Sequence, residues 1–442
     1  MSVEVVGIAI LAVVFGLSIL RGLNMGLLAL AAAYILGVLH LGLPVGDVLK
    51  GFPGGLFVVL LGVTFLFGIA RANGTVDWLV AASMALVRER AQAVPWMLFG
   101  LAAVLAAIGA ASPAAVAIVA PVGITFAVRH HINPLYAGLL AVNGAAAGSF
   151  SPIGILGGIV RTTLAKNGLS VDTMALFAGT FAFNAALSVV VWLVLGRKRQ
   201  SSSEAPQLTS AAGESFSGPS PEGDTGGGVA VQPRLTTTLP TASGRPRVTV
   251  PQAVTLAGIG VLVLSSTVFD LDTGFAALLV AGTLALTYPT SAIEAAKDVA
   301  WPVILMVCGI VTYVSLLESQ GIVRSLGESV TLIGAPLAAA LVIVYIGGVV
   351  SAFASTTAIL GALVPLSIPF LDSGAVSITG LMVALCAAAT VVDASPFSTN
   401  GALIIANSPE CQRDSAYRGL LIWGAVMTAI APVTAWLIFV VL

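Results

Sequence analysis

Long apolar runs without charge recur along the chain and are separated by short polar connections. Stretches such as 5–20 and 419–442 contain no charged residue, and runs of about this length cross a bilayer as helices. The runs are continuously apolar rather than alternating, which disfavours an outer-membrane barrel. Of the 442 residues, 58% are hydrophobic and 8% are charged, against about 25% charged in soluble domains. The pattern predicts an all-α polytopic membrane protein.

The same order of predicted elements occurs twice. In the first half we predict spans and segments near 3–20, 23–43, 55–71, 75–90 (an interfacial helix), 93–130 (interrupted), 134–166 (broken) and 173–195. The second half repeats them near 250–268, 273–289, 300–317, 319–332 (interfacial), 336–371 (interrupted), 376–406 (broken) and 416–442. Between the halves, residues 197–249 are rich in Ser, Gly, Pro and Thr, which predicts a disordered linker.

We interpret the two interrupted segments as re-entrant hairpins, because their arms are short and their tips consist of small residues. Each half then crosses the membrane five times, and the halves form an inverted repeat. Of the 18 Lys and Arg residues, all but Lys50, Arg161, Lys166 and Arg324 fall on one side. The positive-inside rule makes that side cytoplasmic. The linker is therefore expected in the cytoplasm and both termini outside, in the inner (plasma) membrane. Two full spans per segment would give the same sides, so charge alone does not establish re-entrance.

Each broken span contains a Ser-Pro pair. Ser151-Pro152 and Ser395-Pro396 are 244 residues apart, and the same shift relates Gly157 to Gly401. Paired interruptions of apolar segments indicate the binding site of a transporter.

The hairpin tips and the breaks carry the candidate ligands. Half-helix N-termini have partial positive charge, which suits a small organic dianion, and hydroxyl and carbonyl oxygens suit Na⁺. We expect substrate contacts from Ser112, Pro113, Ser151, Pro152, Ser355, Thr356, Ser398, Thr399 and Asn400. The backbone carbonyls of Ala111 and Gly154 are further candidates for Na⁺. The same Ser and Thr residues can instead cap or pack helices, and the sequence leaves this open.

Asp393 stands directly before the second break, where the first half has Ser149. An intramembrane carboxylate is costly unless it is paired, ligated or protonated, so it indicates a functional site. It can bind a coupling cation or carry a proton. Alternatively, it caps a half-helix that starts at Pro396.

Three other polar residues lie within predicted spans. Arg161 can bind a substrate carboxylate or extend to the membrane interface. Asn143 and Asn184 are expected to hydrogen-bond between helices. The sequence contains no metal-binding His/Glu set, no Ser/His pair of a hydrolase and no nucleotide loop, so we expect no enzyme activity. The net charge of −1 predicts no nucleic-acid partner.

At the breaks and tips the chain resembles the malonate/dicarboxylate carrier (MatC) family of the ion-transporter superfamily, which includes the divalent anion/Na⁺ symporters. The resemblance lies in Asp393–Gly401 with its companion Gly148–Pro152, and it covers nearly the whole chain outside the linker. In that superfamily Ser-Asn-Thr tips hold substrate carboxylates and sodium. The resemblance therefore implies sodium contacts for Ser351, Ser355 and Thr357, with Asp393 as a further candidate. The first tip, Ala111-Ser112-Pro113, departs from the pattern because it lacks both outer hydroxyls.

The resemblance also implies an elevator-type homodimer. Residues 1–92 and 250–334 would form the scaffold, and 93–196 and 335–442 the moving transport domain, joined by the linker 197–249. The expected function is Na⁺-coupled symport of a small dicarboxylate. Proton coupling through Asp393 is the nearest alternative, and an ion channel is the alternative of another class. The sequence does not identify the dicarboxylate.

Overall fold

The computed structural model describes residues 3–21, 23–87, 93–130, 132–196, 248–269, 271–321, 336–352, 356–372, 374 and 376–442. Within these ranges the chain is helical and contains no strand, which confirms the predicted all-α class. The linker from 197 to 247, the interfacial piece beyond residue 321 and the candidate ligand Ser355 lie outside the described residues.

Ten helices are described before the linker. The short helix Val45–Leu49 was not predicted, and the bounds of the others follow the predicted segments within a few residues. They are α1 (Val3–Arg21), α2 (Met25–Tyr34), α3 (Val45–Leu49), α4 (Gly54–Ala72), α5 (Thr75–Val87), α6 (Val94–Ala107), α7 (Ser112–Arg129), α8 (Pro134–Gly148), α9 (Ile155–Lys166) and α10 (Thr173–Val191). Helices α2 and α10 continue as wider π-helical turns, Ile35–His40 and Trp192–Gly196.

Nine helices are described after the linker. They are α11 (Val250–Val268), α12 (Thr273–Thr287), α13 (Pro289–Asp298), α14 (Trp301–Ser319), α15 (Pro336–Ser351), α16 (Thr356–Asp372), α17 (Ile378–Val391), α18 (Thr399–Asn407) and α19 (Glu410–Trp436). Two features differ from the prediction. Helix α13 is a separate amphipathic helix that begins at a proline, and α19 starts at Glu410, in the polar segment ahead of the predicted apolar span.

Several helices are long and apolar enough to cross a membrane. Among the described residues, five segments meet this criterion by themselves: Gly54–Ala72, Thr173–Gly196, Trp301–Ser319, Ile378–Asn407 and Glu410–Val441. The hairpin arms α6, α7, α15 and α16 belong to the shorter apolar helices. This composition is that of a multi-pass membrane protein.

The helices around the two breaks are related by one constant difference in residue number. Helices α7, α8 and α9 begin at residues 112, 134 and 155, and α16, α17 and α18 begin at 356, 378 and 399, each 244 residues later. The repeat that the Ser-Pro pairs indicate in the sequence therefore extends to the starts of three successive helices.

Close helix crossings join the two halves reciprocally. Helix α2 crosses α14 at Gly26 and Gly309, where a methyl group on either glycine would collide with the backbone of the other helix. Helix α4 crosses α12 at Gly62 and Gly274, and a methyl group on Gly274 would lie 2.7 Å from the Val59 nitrogen. The second helix of each half thus packs against the long third-span helix of the other, at a separation that only glycine allows.

Candidate functional site

Each hairpin tip lies beside the break of its own half. The Ser151 hydroxyl donates to the Ala107 carbonyl at 2.6 Å, and Ala107 is the last residue of the first hairpin arm α6. The Ser395 hydroxyl donates to the Ala352 carbonyl at 2.7 Å, directly after the arm α15. Both break serines therefore satisfy a carbonyl left open at a helix end, and both tips reach the level of the breaks.

The second break contains the polar turn that positions Asp393. Helix α17 ends at Val391 and is followed by a 3₁₀ turn, Val392–Ala394. The next half-helix begins at Thr399, and its N-cap is Ser398, whose hydroxyl accepts from the Gly401 nitrogen at 3.1 Å. The alternative in which Asp393 caps a half-helix starting at Pro396 is therefore wrong. Ser398 provides the cap, and the Asp393 carboxylate is available for other contacts.

Asn400 joins this break to the tip of the other half. Its side-chain nitrogen donates to the Asp393 carboxylate at 2.9 Å and to the Ser112 hydroxyl at 3.0 Å. The residue is 0% exposed, and its side-chain oxygen has no hydrogen-bond partner among the described residues. A buried amide oxygen without a partner is costly, and a bound cation or a ligand donor would relieve this cost.

Thr356 and Ser351 attach the second hairpin to the same break. The Thr356 hydroxyl faces the Asp393 carboxylate and lies 3.0 Å from the hydroxyl of Ser351. The Ser351 hydroxyl donates to the Ala389 carbonyl at 2.8 Å. Both side chains are buried. Asp393, Asn400 and Ser112 therefore form one hydrogen-bonded group that Thr356 faces. These four residues are called the Asp393 cluster below, with Ser351 at its edge.

The first break is satisfied mainly by its own backbone. The Ser149 carbonyl accepts from the nitrogens of Leu156 and Gly157 at 3.1 and 3.2 Å, so these two N–H groups at the start of α9 bond within the protein. The Ala111 and Gly154 carbonyls each accept one helical hydrogen bond, from Ala115 and Gly158. Each of these two oxygens keeps one lone pair for a further contact.

The remaining predicted ligands differ in exposure. Pro113 follows Ser112 in the first turn of α7 and Pro152 follows Ser151 in the first break; both are partly exposed, as is Thr357 in α16. Thr399 is exposed and begins α18. The structure thus brings Ser112, Thr356, Asp393 and Asn400 into contact, while no bond connects Thr357 or Thr399 to them among the described residues.

Arg161 lies at the first break rather than in the Asp393 cluster. Its guanidinium donates to the Pro152 carbonyl and, at 3.4 Å, to the Gly157 carbonyl. It also faces a cavity of about 260 Å³ that is lined by Asp272 and Thr273 at the start of α12. The Asp272 carboxylate attracts the guanidinium across this space. Arg161 therefore bonds to the break backbone instead of extending to the interface.

The two asparagines within spans behave differently from each other. The Asn143 side chain donates to Ser188 at 3.2 Å and links α8 to α10, which confirms the predicted bond between helices. Asn184 donates to the Thr180 carbonyl of its own helix, so the same prediction is wrong for this residue. A side-chain amide can reach the backbone carbonyl four residues earlier in its own helix. Asn184 bonds to this local carbonyl instead of to a neighbouring helix.

Sequence reasoning did not identify two contributors to the surroundings of the site. For Asp272 the sequence offers one signal, its position as an acidic N-cap residue directly before α12. Lys166 donates to the Gly51 carbonyl at 2.9 Å and to the Ser315 hydroxyl at 3.2 Å. For Lys166 the sequence offers one indication of a special role, namely that it is one of the few basic residues on the side predicted to face outward.

Residues 1–149 match a family model described as the dicarboxylate carrier protein MatC N-terminus. The matched region contains the first hairpin and its tip and ends at Ser149, directly before the first Ser-Pro pair. No curated protein matches the chain. The resemblance to the MatC dicarboxylate carrier family is therefore confirmed over the N-terminal third of this chain.

Proposed function

We propose that this protein is a secondary active transporter that takes up small dicarboxylates, such as malonate or a C4-dicarboxylate, together with Na⁺. The family description of residues 1–149 supports the carrier class and the dicarboxylate substrate. The apolar helices support a membrane location. Two half-helices that start inside apolar segments, each beside a hairpin tip, are the arrangement by which many transporters bind substrate at the bilayer midplane.

The observation that carries the proposal is the position of Asn400 between the two halves. Its amide nitrogen contacts Ser112 of the first tip and Asp393 of the second break, and its amide oxygen has no partner among the described residues. A carboxylate, an amide oxygen and the Thr356 hydroxyl together are hard oxygen ligands, which suit Na⁺. In this proposal Na⁺ binds at the Asp393 cluster, and the substrate carboxylates bind between the tips.

The proposed movement is an elevator, in which a transport part slides against a scaffold within a homodimer. The glycine crossings at Gly26 and Gly62 favour a rigid scaffold, because closely fitted helices cannot easily shift. Helix α9 packs its apolar face against α4 and adds polar contacts to the same scaffold: Lys166 reaches Gly51 and Ser315, and Arg161 faces Asp272. Polar contacts at a partly open interface can break and re-form during a sliding movement.

Proton coupling is the second candidate, and Asp393 is the reason to keep it. The carboxylate lies at the break and is partly exposed, so a proton can reach it. Asp393→Asn keeps the shape of the side chain but cannot bind a proton or balance the charge of a cation. If protons drive transport, this variant abolishes proton-driven uptake. Na⁺-dependent uptake retained by the variant would contradict both proton coupling through Asp393 and Na⁺ binding at its carboxylate.

The test is uptake of labelled malonate and succinate into proteoliposomes that contain the purified full-length chain. We expect saturable uptake that increases several-fold when a Na⁺ gradient is imposed, and little uptake without any gradient. Absence of uptake under both a Na⁺ and a proton gradient would refute the proposal. A flux that rises linearly with substrate concentration, without coupling to either gradient, would indicate a channel.

A matched pair of variants connects that assay to the site. Asn400→Ala removes both hydrogen bonds of the cluster and its unpaired oxygen, and we expect loss of Na⁺-dependent uptake. Asn407→Ala, on the same half-helix α18, removes only a bond to the Leu403 carbonyl and should leave uptake close to that of the unaltered protein.

A further inference from the structure

A long apolar groove separates the last helices of the two halves. It runs between α10 and α19, has a volume of about 680 Å³, and its wall is almost entirely aliphatic and aromatic. The buried side chains of Leu139, Val191, Met427 and Ala431 are among those that line it. In a membrane protein such a surface faces hydrocarbon.

The dimensions of the groove match a lipid chain that lies lengthwise. Its lining extends from Phe183 to Leu195, along α10 and the π-helical turn that continues it, and from Gly419 to Ile438, along α19 and the π-helical turn Leu437–Val441 after it. At about 1.5 Å of rise per residue these stretches measure roughly 18 and 28 Å, against a hydrocarbon core of about 30 Å. Each wall is therefore longer than one leaflet, about half of that core, and the groove can hold one acyl chain lengthwise.

One end of the groove carries a charge and an unpaired donor. Arg418 is exposed and precedes Gly419, which lines the groove. Trp423 also lines it, and its indole nitrogen is buried without a hydrogen-bond partner among the described residues. Five residues along a helix separate the two by roughly 7 Å, which is compatible with a lipid phosphate at Arg418 and a glycerol ester carbonyl at Trp423. Tryptophan is typical of this interfacial depth.

We propose that an anionic phospholipid binds in this groove, with one acyl chain between α10 and α19 and its phosphate on Arg418. The charge favours an anionic headgroup, since basic pockets between membrane helices on the cytoplasmic side bind such lipids, and Arg418 lies on the side predicted to be cytoplasmic. The lipid contacts the final helix of both halves, so it acts as a shared packing element between them. This proposal does not depend on the transported substrate.

The experiment is native mass spectrometry of the full-length protein after reconstitution in vesicles of phosphatidylglycerol and phosphatidylcholine. We expect the unaltered protein to retain phosphatidylglycerol in preference to phosphatidylcholine. Ala186→Trp fills the groove and should reduce retained lipid several-fold. Ala178→Trp, an exposed site on the same helix outside the groove lining, should not. Arg418→Gln should abolish the preference for the anionic lipid while leaving some lipid bound.

Quenching by brominated phosphatidylglycerol provides a second measurement that does not depend on extraction. The chain has six tryptophans. The difference in bromine quenching between the unaltered protein and Trp423→Phe is the contribution of Trp423, which lines the groove. We expect that contribution to be larger with brominated phosphatidylglycerol than with brominated phosphatidylcholine, and to disappear in Ala186→Leu, which narrows the groove without adding a fluorophore. Equal quenching by the two lipids would overturn the proposal. So would a change of oligomeric state in Ala186→Trp with lipid retention unchanged, because a second copy would then occupy the groove.

Discussion

The side-chain nitrogen of Asn400 lies 3.0 Å from the hydroxyl of Ser112, although 288 residues separate the two in the chain. The bond joins the start of half-helix α18 to the start of hairpin arm α7. It is a direct polar contact between the halves in the middle of apolar segments. A change at the first tip therefore reaches Asp393 through a single side chain.

Ser112→Ala tests this connection. The substitution removes one hydrogen bond of the Asn400 amide and leaves the bond to Asp393 in place. A single hydrogen bond contributes about 1 kcal/mol, so we expect kcat/KM for dicarboxylate uptake to fall roughly five-fold and the Na⁺ dependence to shift to higher concentration. Ser367→Ala is the control, because that hydroxyl bonds to the Val364 carbonyl of its own helix. Equal effects of the two variants would show that Ser112 has no special role.

The break serines support a second prediction. Ser395→Ala leaves the Ala352 carbonyl without its 2.7 Å donor, and Ser151→Ala does the same to Ala107. An unsatisfied buried carbonyl costs about 1–3 kcal/mol, so both variants should melt at a lower temperature in a thermal denaturation assay. The decrease should be larger for Ser395→Ala, because its bond is buried and that of Ser151 is partly buried. We expect the double variant to show the sum of the two shifts, because the two bonds lie in different halves. A double variant no less stable than either single one would contradict separate roles.

The glycine crossings predict large effects from small substitutions. Gly26→Ala and Gly309→Ala each place a methyl group against the backbone of the facing helix. Backbone cannot move aside as a side chain can, so we expect each variant to lose about 1–3 kcal/mol of stability, the range for overpacked cores, and to be recovered in lower yield. Gly16→Ala and Gly282→Ala meet no atom within 4 Å and should behave like the unaltered protein in the same purification and melting assay.

Arg161 is predicted to position the first break rather than to bind substrate. Replacement by Gln removes the charge that Asp272 attracts and weakens the bonds to the Pro152 and Gly157 carbonyls. We expect the maximal uptake rate to fall several-fold with little change in KM, because the residue lies outside the Asp393 cluster. A large rise in KM with an unchanged maximal rate would instead indicate direct substrate contact. Arg413→Gln removes an exposed pair at 3.8 Å from Glu410, worth little in such settings, and is the control.

The sequence predicts the helices and the breaks well, because their signals are local. Apolar length and Gly or Pro residues place the boundaries of α6 to α9, and the shift that relates Ser151 to Ser395 also relates the helix starts at 155 and 399. The separate helix α13 was not predicted, because its amphipathic sequence lies between two more apolar segments and resembles a loop that connects them.

Contacts between distant side chains could not be predicted in this way. Asp393 is a good N-cap by residue type, but Ser398 lies closer to the half-helix and caps it, and the carboxylate binds Asn400 instead. The same limit applies to Arg161, whose position opposite Asp272 depends on α9 and α12 both packing against α4. Only the three-dimensional structure decides which of several suitable polar groups lie together.

The reciprocal glycine crossings have a consequence for biosynthesis. Helices α2 and α4 are made before the linker, and the helices they fit most closely, α14 and α12, are made after it. During synthesis the first half is therefore complete before the helices that form these crossings with it exist. Both sides of each crossing lie outside the linker, so we expect two separately synthesised halves to retain the surfaces that form them.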